Sequence, residues 1–208
     1  GPIPGTDDTL RFAFDQPGSL QITLSSQCSG SQDMTIEVNW HGVEAAAYAP
    51  ASYNGFEVSC AEASDGTITQ LASNGYLEGG DYAWQWQGAN GALVDTSGLS
   101  VGTYKGVVTD MLGCTDTIQL ELSAPSELSV LATAVSDFNG YAVRCSDSQD
   151  GAVSLDANGG IPNYAFPAEN GLASSDTVSG LSAGVNVFTV VDANGCIAQD
   201  TVVLSAPS

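Results

Sequence analysis

The sequence contains very little positive charge. Of its 208 residues, three are lysine or arginine and one is histidine, and the formal net charge is −21. A surface of this kind repels phosphate backbones and anionic lipid headgroups, so we expect neither a nucleic-acid partner nor binding to anionic membranes. Cations, above all Ca²⁺, are the natural counter-charge for so many carboxylates.

Long apolar runs and helical periodicity are also missing. No apolar stretch reaches the roughly 18 residues of a transmembrane helix, so we expect no membrane insertion. No signal peptide is visible, and Gly1-Pro2 is typical of the scar left when a purification tag is removed, so we expect a piece of a longer protein. Because 43% of the residues are hydrophobic, the chain should nevertheless fold rather than remain disordered.

Residues suited to catalysis are scarce. Two segments, 98–102 and 180–184, fit the GxSxG string of serine hydrolases, but that motif requires a following helix and a nearby histidine. A strand-like segment follows instead, and the one histidine, His41, lies outside both strings. A carboxylate pair could hydrolyse glycosides, yet nothing in the sequence marks such a pair. We therefore expect a protein that is not an enzyme and requires no cofactor.

Internal repetition is the most informative feature of the chain. Residues 54–60 match 139–145, which begin 85 positions later, and the segment 98–102 matches 180–184. The segment Ser-Ala-Pro-Ser closes both copies. The sequence therefore predicts two complete modules, which we place at residues 49–126 and 127–208. Residues 1–48 are interpreted as a partial or divergent module, the remnant of a preceding repeat.

Within each copy the pattern is that of β-structure. Tyr82, Trp84 and Trp86 alternate with small or polar residues, which places all three aromatics on one face of a strand. Seven Asn-Gly pairs supply the turns between short strands. These features predict an all-β chain of tandem immunoglobulin-like antiparallel β-sandwich modules. Trp84 or Trp86 would be a core residue, with stacking on a sugar as the alternative.

The chain has five cysteines, and each complete copy contains two at equivalent places. We predict the disulfides Cys60–Cys114 and Cys145–Cys196, one within each module, since paired recurrence and an extracellular type of composition favour oxidation. Buried reduced thiols are the alternative. The fifth cysteine, Cys28, is left over, and its partner would lie in the missing first half of the partial module at residues 1–48.

Calcium is the metal for which the sequence offers candidate sites. Such a pairing of cysteines would gather carboxylates near each bridge, and Ca²⁺ takes six to eight oxygen ligands. The same sequences are also ordinary turn formers, because Asp and Asn cap turns and Gly permits positive φ, so turn chemistry alone is the competing interpretation. The candidate ligands are Glu62, Asp65 and Asp110 in the first copy and Asp147, Asp150, Asp192 and Asn194 in the second.

A series of landmarks recurs in the same order in both copies of the repeat. In the first copy they are Cys60, Asp65-Gly66, Gly79-Gly80, Tyr82, Trp86, Leu99-Ser100, Gly102-Thr103-Tyr104, Val108-Thr109-Asp110, Gly113-Cys114 and Pro125. In the second copy they are Cys145, Asp150-Gly151, Gly159-Gly160, Tyr164, Leu181-Ser182-Ala183-Gly184, Val190, Asp192-Ala193-Asn194-Gly195-Cys196 and Pro207. These landmarks resemble the SprB-type repeat of very large surface adhesins from gliding bacteria of the Bacteroidetes group. The second copy departs from that pattern at Ala168, in place of tryptophan, and at Asn186, in place of tyrosine.

That resemblance implies type IX secretion, display at the outer cell surface, and a role in adhesion or gliding motility. We expect a structural and adhesive stalk segment whose partners are other repeats of the same polypeptide. The alternative is a ligand-binding module that recognises a polysaccharide or another surface protein. It requires exposed aromatic residues in a groove, and the candidates are Trp40, Tyr76, Trp86 and Phe138.

Overall fold

Every regular element in the described part of the chain is a β-strand, which confirms the predicted all-β class. The computed structural model describes residues 18–24, 34–40, 42–77, 79–167 and 176–207. The predictions for Cys28, His41 and Ala168, and for the side chain of Trp40, lie outside these residues. No helix among the described residues is long and apolar enough to cross a membrane.

The strands are short and separated by turns. They are β1 (Gly18–Leu24), β2 (Met34–Trp40), β3 (Val43–Tyr48), β4 (Ser64–Thr67), β5 (Thr69–Asn74), β6 (Ala83–Gln87), β7 (Leu93–Val94), β8 (Ser97–Ser100), β9 (Gly102–Thr109), β10 (Thr115–Leu122), β11 (Ser129–Ala134), β12 (Gly151–Asn158), β13 (Thr177–Leu181), β14 (Gly184–Val191) and β15 (Ile197–Leu204). Their sheet orders are β1-β2, β3-β5, β4-β8, β10-β9-β6-β7, β11-β12-β13 and β14-β15.

The chain divides into two compact units. The module boundaries at residues 48 and 126 stay predictions. Unit 1 comprises Gly1–Ala46, Gln70–Gln85 and Gly106–Ile118, and unit 2 comprises Ala47–Thr69, Trp86–Lys105 and Gln119–Ser208.

Unit 1 contains the antiparallel pair β1-β2, in which Gly18 lies opposite Trp40 and Leu24 lies opposite Met34. This hairpin exposes Ile36 and Val38, whereas Val43 at the start of β3 is buried. The interpretation of residues 1–48 as the remnant of a preceding repeat stays a prediction.

Unit 2 contains the antiparallel sandwich of the second copy. The three-stranded sheet β11-β12-β13 provides one layer, and its edge strand β11 packs against β14 and β15, which form the other. The strand β12 shows why this sequence forms a two-layered fold. Its residues Gly151, Val153 and Leu155 are buried and the residues between them are half-buried, which is the period of two expected of a strand with one face in the core. The core between the layers contains Ala132, Ala142, Val153, Leu155, Val178 and Leu204.

The tryptophan strand β6 shows the predicted alternation. Trp84 is half-buried and Trp86 is buried, while Ala83 and Gln85 are exposed. Trp86 is only 3% exposed, so it is a core residue and has no face free to stack on a sugar.

Two equivalent Asn-Gly pairs, one in each copy, form turns of the kind that the sequence predicts. Asn54 and Gly55 have φ angles of 52° and 97°, and their counterparts Asn139 and Gly140 have 57° and 89°. Positive φ at both central residues is the requirement of the tight type I′ turn, and Asn-Gly meets it at least cost.

A glycine lies at the same tightly packed place in each copy of the repeat. A Cβ on Gly66 would come within 2.6 Å of the Leu122 side chain and 2.8 Å of the Leu99 carbonyl. A Cβ on Gly151 would come within 2.7 Å of Leu204 and 2.8 Å of the Leu181 carbonyl. The two sets of neighbours are equivalent in the repeat, so the two cores pack alike.

We expect Gly66→Ala and Gly151→Ala each to lower the free energy of unfolding by about 2 kcal/mol, because a packed core and a backbone carbonyl cannot move aside for a methyl group. Gly88→Ala is the matched control, since the nearest atom there would be at 3.6 Å. Urea unfolding followed by tryptophan fluorescence measures the three values. Equal stability of all three variants would contradict the packing described here.

Candidate functional site

A buried aspartate organises the β9-β10 hairpin of the first copy. The Oδ1 atom of Asp110 accepts the backbone N–H groups of Leu112 at 3.0 Å and Cys114 at 2.9 Å. Its Oδ2 atom accepts the N–H of Tyr76 at 3.0 Å. Burial raises the pKa of this carboxyl group, but the hydrogen bonds from Tyr76, Cys114 and Leu112 outweigh it and hold the pKa below its usual value.

The β14-β15 hairpin of the second copy has the same arrangement. The Oδ1 atom of Asp192 accepts the N–H groups of Asn194 and Cys196, both at 2.9 Å, and its Oδ2 atom accepts the N–H of Ile161 at 2.8 Å. Asp110 and Asp192 are each 6% exposed. In both copies a buried carboxylate thus fixes the turn that ends in a cysteine.

A glycine makes room for each of these carboxylates. Gly75 has a φ angle of 66°, and a Cβ there would lie 3.0 Å from Oδ2 of Asp110. Gly160 has a φ angle of 58°, and a Cβ there would collide with Oδ2 of Asp192. Only glycine tolerates both the left-handed backbone and the close approach. Of the Gly-Gly landmarks, Gly160 therefore belongs to the aspartate hairpin, whereas its counterpart in the first copy is Gly75 and not Gly79 or Gly80.

The predicted calcium ligands act mainly as hydrogen-bond acceptors for the backbone. Asp65 accepts the N–H of Ser59 at 3.0 Å, and its counterpart Asp150 accepts the N–H of Arg144 at 3.2 Å. Burial raises the pKa of Asp65, but hydrogen bonds from Ser59 and Tyr53 more than offset this and lower it. Turn chemistry is thus present at these aspartates.

The remaining candidate ligands are exposed or only half-buried. Glu62 and Asp147 are exposed, and Asn194 is half-buried. Among the residues that the structure describes, no three His, Cys, Asp or Glu side chains are grouped to hold a metal ion. Calcium binding at these positions stays a prediction.

The predicted disulfide pairing is wrong. Cys60 is bonded to Cys196, with a Cα–Cα distance of 5.8 Å and 136 positions between the two residues. Cys114 and Cys145, the partners predicted for them, are free and exposed. The sequence showed correctly that both copies contain equivalent cysteines. That equivalence is consistent both with pairing within each copy and with pairing between successive copies, so it could not decide between them.

Contacts next to the disulfide explain why the bond joins the two copies. Asn194 lies in the Asp192 hairpin, and its Nδ2 atom donates to the carbonyl oxygen of Ser59 at 3.0 Å. The Nδ2 atom of Asn54 donates to Oδ1 of Asn194 at 2.5 Å. The hairpin of the second copy thus sits on the turn of the first copy that precedes Cys60. The sequence carries a signal for this, since the position of Asn194 is occupied by Leu112 in the first copy.

Each GxSxG string runs from the end of one strand, across a short turn, to the first residue of the next strand. Leu99 is buried, Ser100 ends β8, and β9 begins at Gly102, so a strand follows the motif as predicted. The Ser100 hydroxyl pairs with that of Ser64 at 2.7 Å, and its carbonyl accepts the Tyr104 hydroxyl at 2.9 Å. The seryl group therefore has a structural partner in the adjacent strand.

The candidate aromatic residues for ligand binding do not share one environment. Trp86 is buried, Tyr76 is 44% exposed, and Phe138 is half-buried. The guanidinium of Arg144 lies 5.0 Å from the centre of the Phe138 ring, and its Nε lies 3.6 Å from a carboxylate oxygen of Asp150. Arg144 is one of the three basic residues of the chain.

Comparison with known proteins finds similarity to solved structures. No family model and no curated protein matches the chain. Among solved structures, the chain is similar to a C-terminal 282-residue fragment of intimin, determined in complex with the intimin-binding domain of the translocated intimin receptor. The identity is 16% and the TM-score is 0.39, over 81% of this chain and 64% of that chain.

Replacing Asp110 by asparagine should lower the free energy of unfolding at neutral pH by about 2 kcal/mol, because hydrogen bonds to a charged acceptor are weakened. A lowered pKa in the folded state means that the stabilisation from Asp110 is complete above the pKa of the unfolded chain, and disappears as the pH falls through the folded value. The difference between wild type and variant should therefore shrink on acidification, as measured by urea unfolding across the acidic range.

Asp81→Asn is the control for this experiment, because Asp81 is exposed and the substitution removes the same charge. It should leave the stability at neutral pH unchanged within a few tenths of a kcal/mol. A loss for Asp110→Asn that stays constant over the whole pH range would show that the carboxylate charge is not what stabilises the hairpin.

A peptide map under non-reducing conditions should contain the Cys60–Cys196 link. Replacing Cys196 by serine should lower the free energy of unfolding by up to about 5 kcal/mol, since the bond closes a very long loop. Cys145→Ser, at an exposed free thiol, should have almost no effect. Recovery of Cys60–Cys114 instead would restore the pairing that the sequence predicts.

Proposed function

We propose that this chain is a structural and adhesive repeat segment, a stalk, of a large bacterial cell-surface protein. The observation that carries the proposal is the Cys60–Cys196 disulfide, which ties the first copy of the repeat to the second. Two copies joined by a flexible linker alone would bend freely, whereas a covalent bond and the Asn194 hydrogen bonds restrict bending at this joint.

The disulfide also supports export of the chain. Disulfides persist in oxidising compartments such as the periplasm and the cell surface, and are rare in the reducing cytosol. Display at the outer surface, type IX secretion and a part in gliding motility are the finer part of the proposal. They draw their support from the resemblance to SprB-type repeats.

The charge of the chain suits a crowded surface. A net charge of −21 on 208 residues makes neighbouring stalks repel each other and keeps them soluble. The same repulsion opposes non-covalent association of successive modules, so a covalent bond contributes more to holding them together.

Recognition of a polysaccharide or another surface protein ranks second. It requires aromatic residues that face the solvent, and Trp86, one of the four candidates, is only 3% exposed. Tyr76, at 44% exposure, is the one candidate whose side chain is open to the solvent among those the structure describes. The surface around Tyr76 is therefore where such a ligand would be sought.

Stretching single molecules between their termini tests the mechanical role. The bond shields the 136 positions between Cys60 and Cys196 from force, which corresponds to about 480 Å of extended chain at roughly 3.5 Å per residue. We expect this length to be absent from the unfolding trace of the oxidised protein and to appear after reduction.

Cys196→Ser is the control, and it should release the full length without reductant. A trace of the oxidised wild type that already contains the full length would refute the stalk proposal. Two separate shielded segments of about 190 Å each would instead indicate bonds within the copies, at the same length per residue.

A further inference from the structure

Two free cysteines occupy positions whose repeat counterparts are bonded. Cys114 corresponds to Cys196, and Cys145 corresponds to Cys60. Cys196 is 9% exposed and Cys60 is half-buried, whereas Cys114 and Cys145 are exposed. Each copy thus has a cysteine at both positions. In the part of the chain that the structure describes, Cys114 on the first-copy hairpin and Cys145 on the second-copy turn are exposed.

The turn before Cys145 has the same backbone as the turn that receives the Asp192 hairpin. Phe138 and Tyr141 form an isolated β-bridge, as Tyr53 and Phe56 do in the first copy. Tyr141 is 40% exposed, whereas its counterpart Phe56 is half-buried. Beside Cys145 lies an open groove, lined by Asp137, Phe138, Asn139, Tyr141, Arg144 and Pro207.

The hairpin that ends in Cys114 has the backbone hydrogen bonds of the hairpin that docks. The N–H of Asp110 donates to the Cys114 carbonyl at 3.0 Å, and the N–H of Asp192 donates to the Cys196 carbonyl at the same distance. The two hairpins differ at their tips. Leu112 is 70% exposed and has no amide with which to repeat the contacts of Asn194.

We infer that the groove beside Cys145 receives the Asp110 hairpin of a second copy of this chain, with a disulfide between Cys145 of one copy and Cys114 of the other. This contact between two molecules is equivalent to the contact within one molecule, because Cys145 takes the place of Cys60 and Cys114 takes the place of Cys196. It joins two different surfaces head to tail, so it propagates into chains of copies rather than closing at a dimer.

The link forms by thiol–disulfide exchange with a small disulfide oxidant such as oxidised glutathione. One new sulfur–sulfur bond forms, one glutathione disulfide bond breaks, and the two thiol protons end on the two glutathione molecules released.

The experiment uses the full chain with Cys28→Ser, so that the cysteine outside the described residues takes no part. The protein is incubated in a buffer of reduced and oxidised glutathione, then separated on a non-reducing gel and mapped by peptide mass spectrometry. We expect a ladder of oligomers in which Cys145–Cys114 links exceed either like-with-like link by about tenfold. Random coupling of two equally reactive thiols would give an excess of only about twofold, since mixed and like-with-like links would then form in the ratio 1:2:1.

Two further variants test the direction of the contact. Cys114→Ser and Cys145→Ser should each remain monomeric alone, and an equimolar mixture should stop at the dimer. Leu112→Asn restores the amide of the docking hairpin and should speed the link severalfold, because it re-creates hydrogen bonds to Asn139 and to the carbonyl of residue 144. Met111→Asn, on the same exposed hairpin, is the matched control and should leave the rate unchanged.

Three results would overturn the inference: like-with-like links in equal share, a closed monomer with Cys114 bonded to Cys145, or thiols that stay reduced while the oxidant is consumed elsewhere. The same peptide map reports on the Cys60–Cys196 bond. If that bond is present and the intermolecular link is absent, the inference fails and the stalk proposal stands. If Cys60–Cys196 is absent, the stalk proposal loses its basis.

Discussion

The carboxylate of one buried aspartate per copy fixes the geometry on which the rest of this structure depends. Asp110 and Asp192 each accept three backbone N–H groups, two within their own hairpin and one from the turn at Tyr76 or Ile161. Buried polar groups of the backbone need partners, and a charged acceptor supplies several at once. These hydrogen bonds fix the backbone of each hairpin, and with it the position of the cysteine at its end.

The two copies show which parts of this arrangement tolerate change. Tyr104 of the first copy donates to the Ser100 carbonyl, and Asn186, which replaces it in the second, donates to the equivalent carbonyl of Ser182 at 3.2 Å. The loss of the aromatic ring thus leaves the hydrogen bond in place. Gly66 and Gly151, by contrast, are retained, because a side chain there would collide with a core leucine and a carbonyl oxygen.

Much of this fold could be predicted from local patterns. Alternation identified the inward face of β6, and Asn-Gly pairs located turns at Asn54 and Asn139, because strand periodicity and positive φ are properties of a few neighbouring residues. The role of Asp110 and Asp192 could be predicted from the sequence only in part. Their turn chemistry could be inferred, but the donation from Tyr76 or Ile161 depends on chain packing some thirty residues away in sequence.

The disulfide could not be predicted in the same way. Because the two copies have cysteines at equivalent positions, the repeat alone does not distinguish pairing within a copy from pairing between copies. What separates them is the contact that brings the sulfurs together, and this depends on a single side chain, Asn194, whose counterpart is Leu112. A difference between copies, rather than their likeness, was the informative signal.

A bond between successive copies also has a different mechanical consequence from a bond within each copy. A bond within a module protects that module and leaves the joint unprotected, so that bending and separation occur between modules. The Cys60–Cys196 bond spans the joint itself, and the residues enclosed by it include most of the first copy after Cys60 and nearly all of the second. The bond does not act alone at this place, because Cys60 packs against the buried cluster of Leu128, Val190 and Cys196 in the second copy. The disulfide and this packing hold the two copies together at the joint, although a net charge of −21 makes the acidic surfaces around it repel one another.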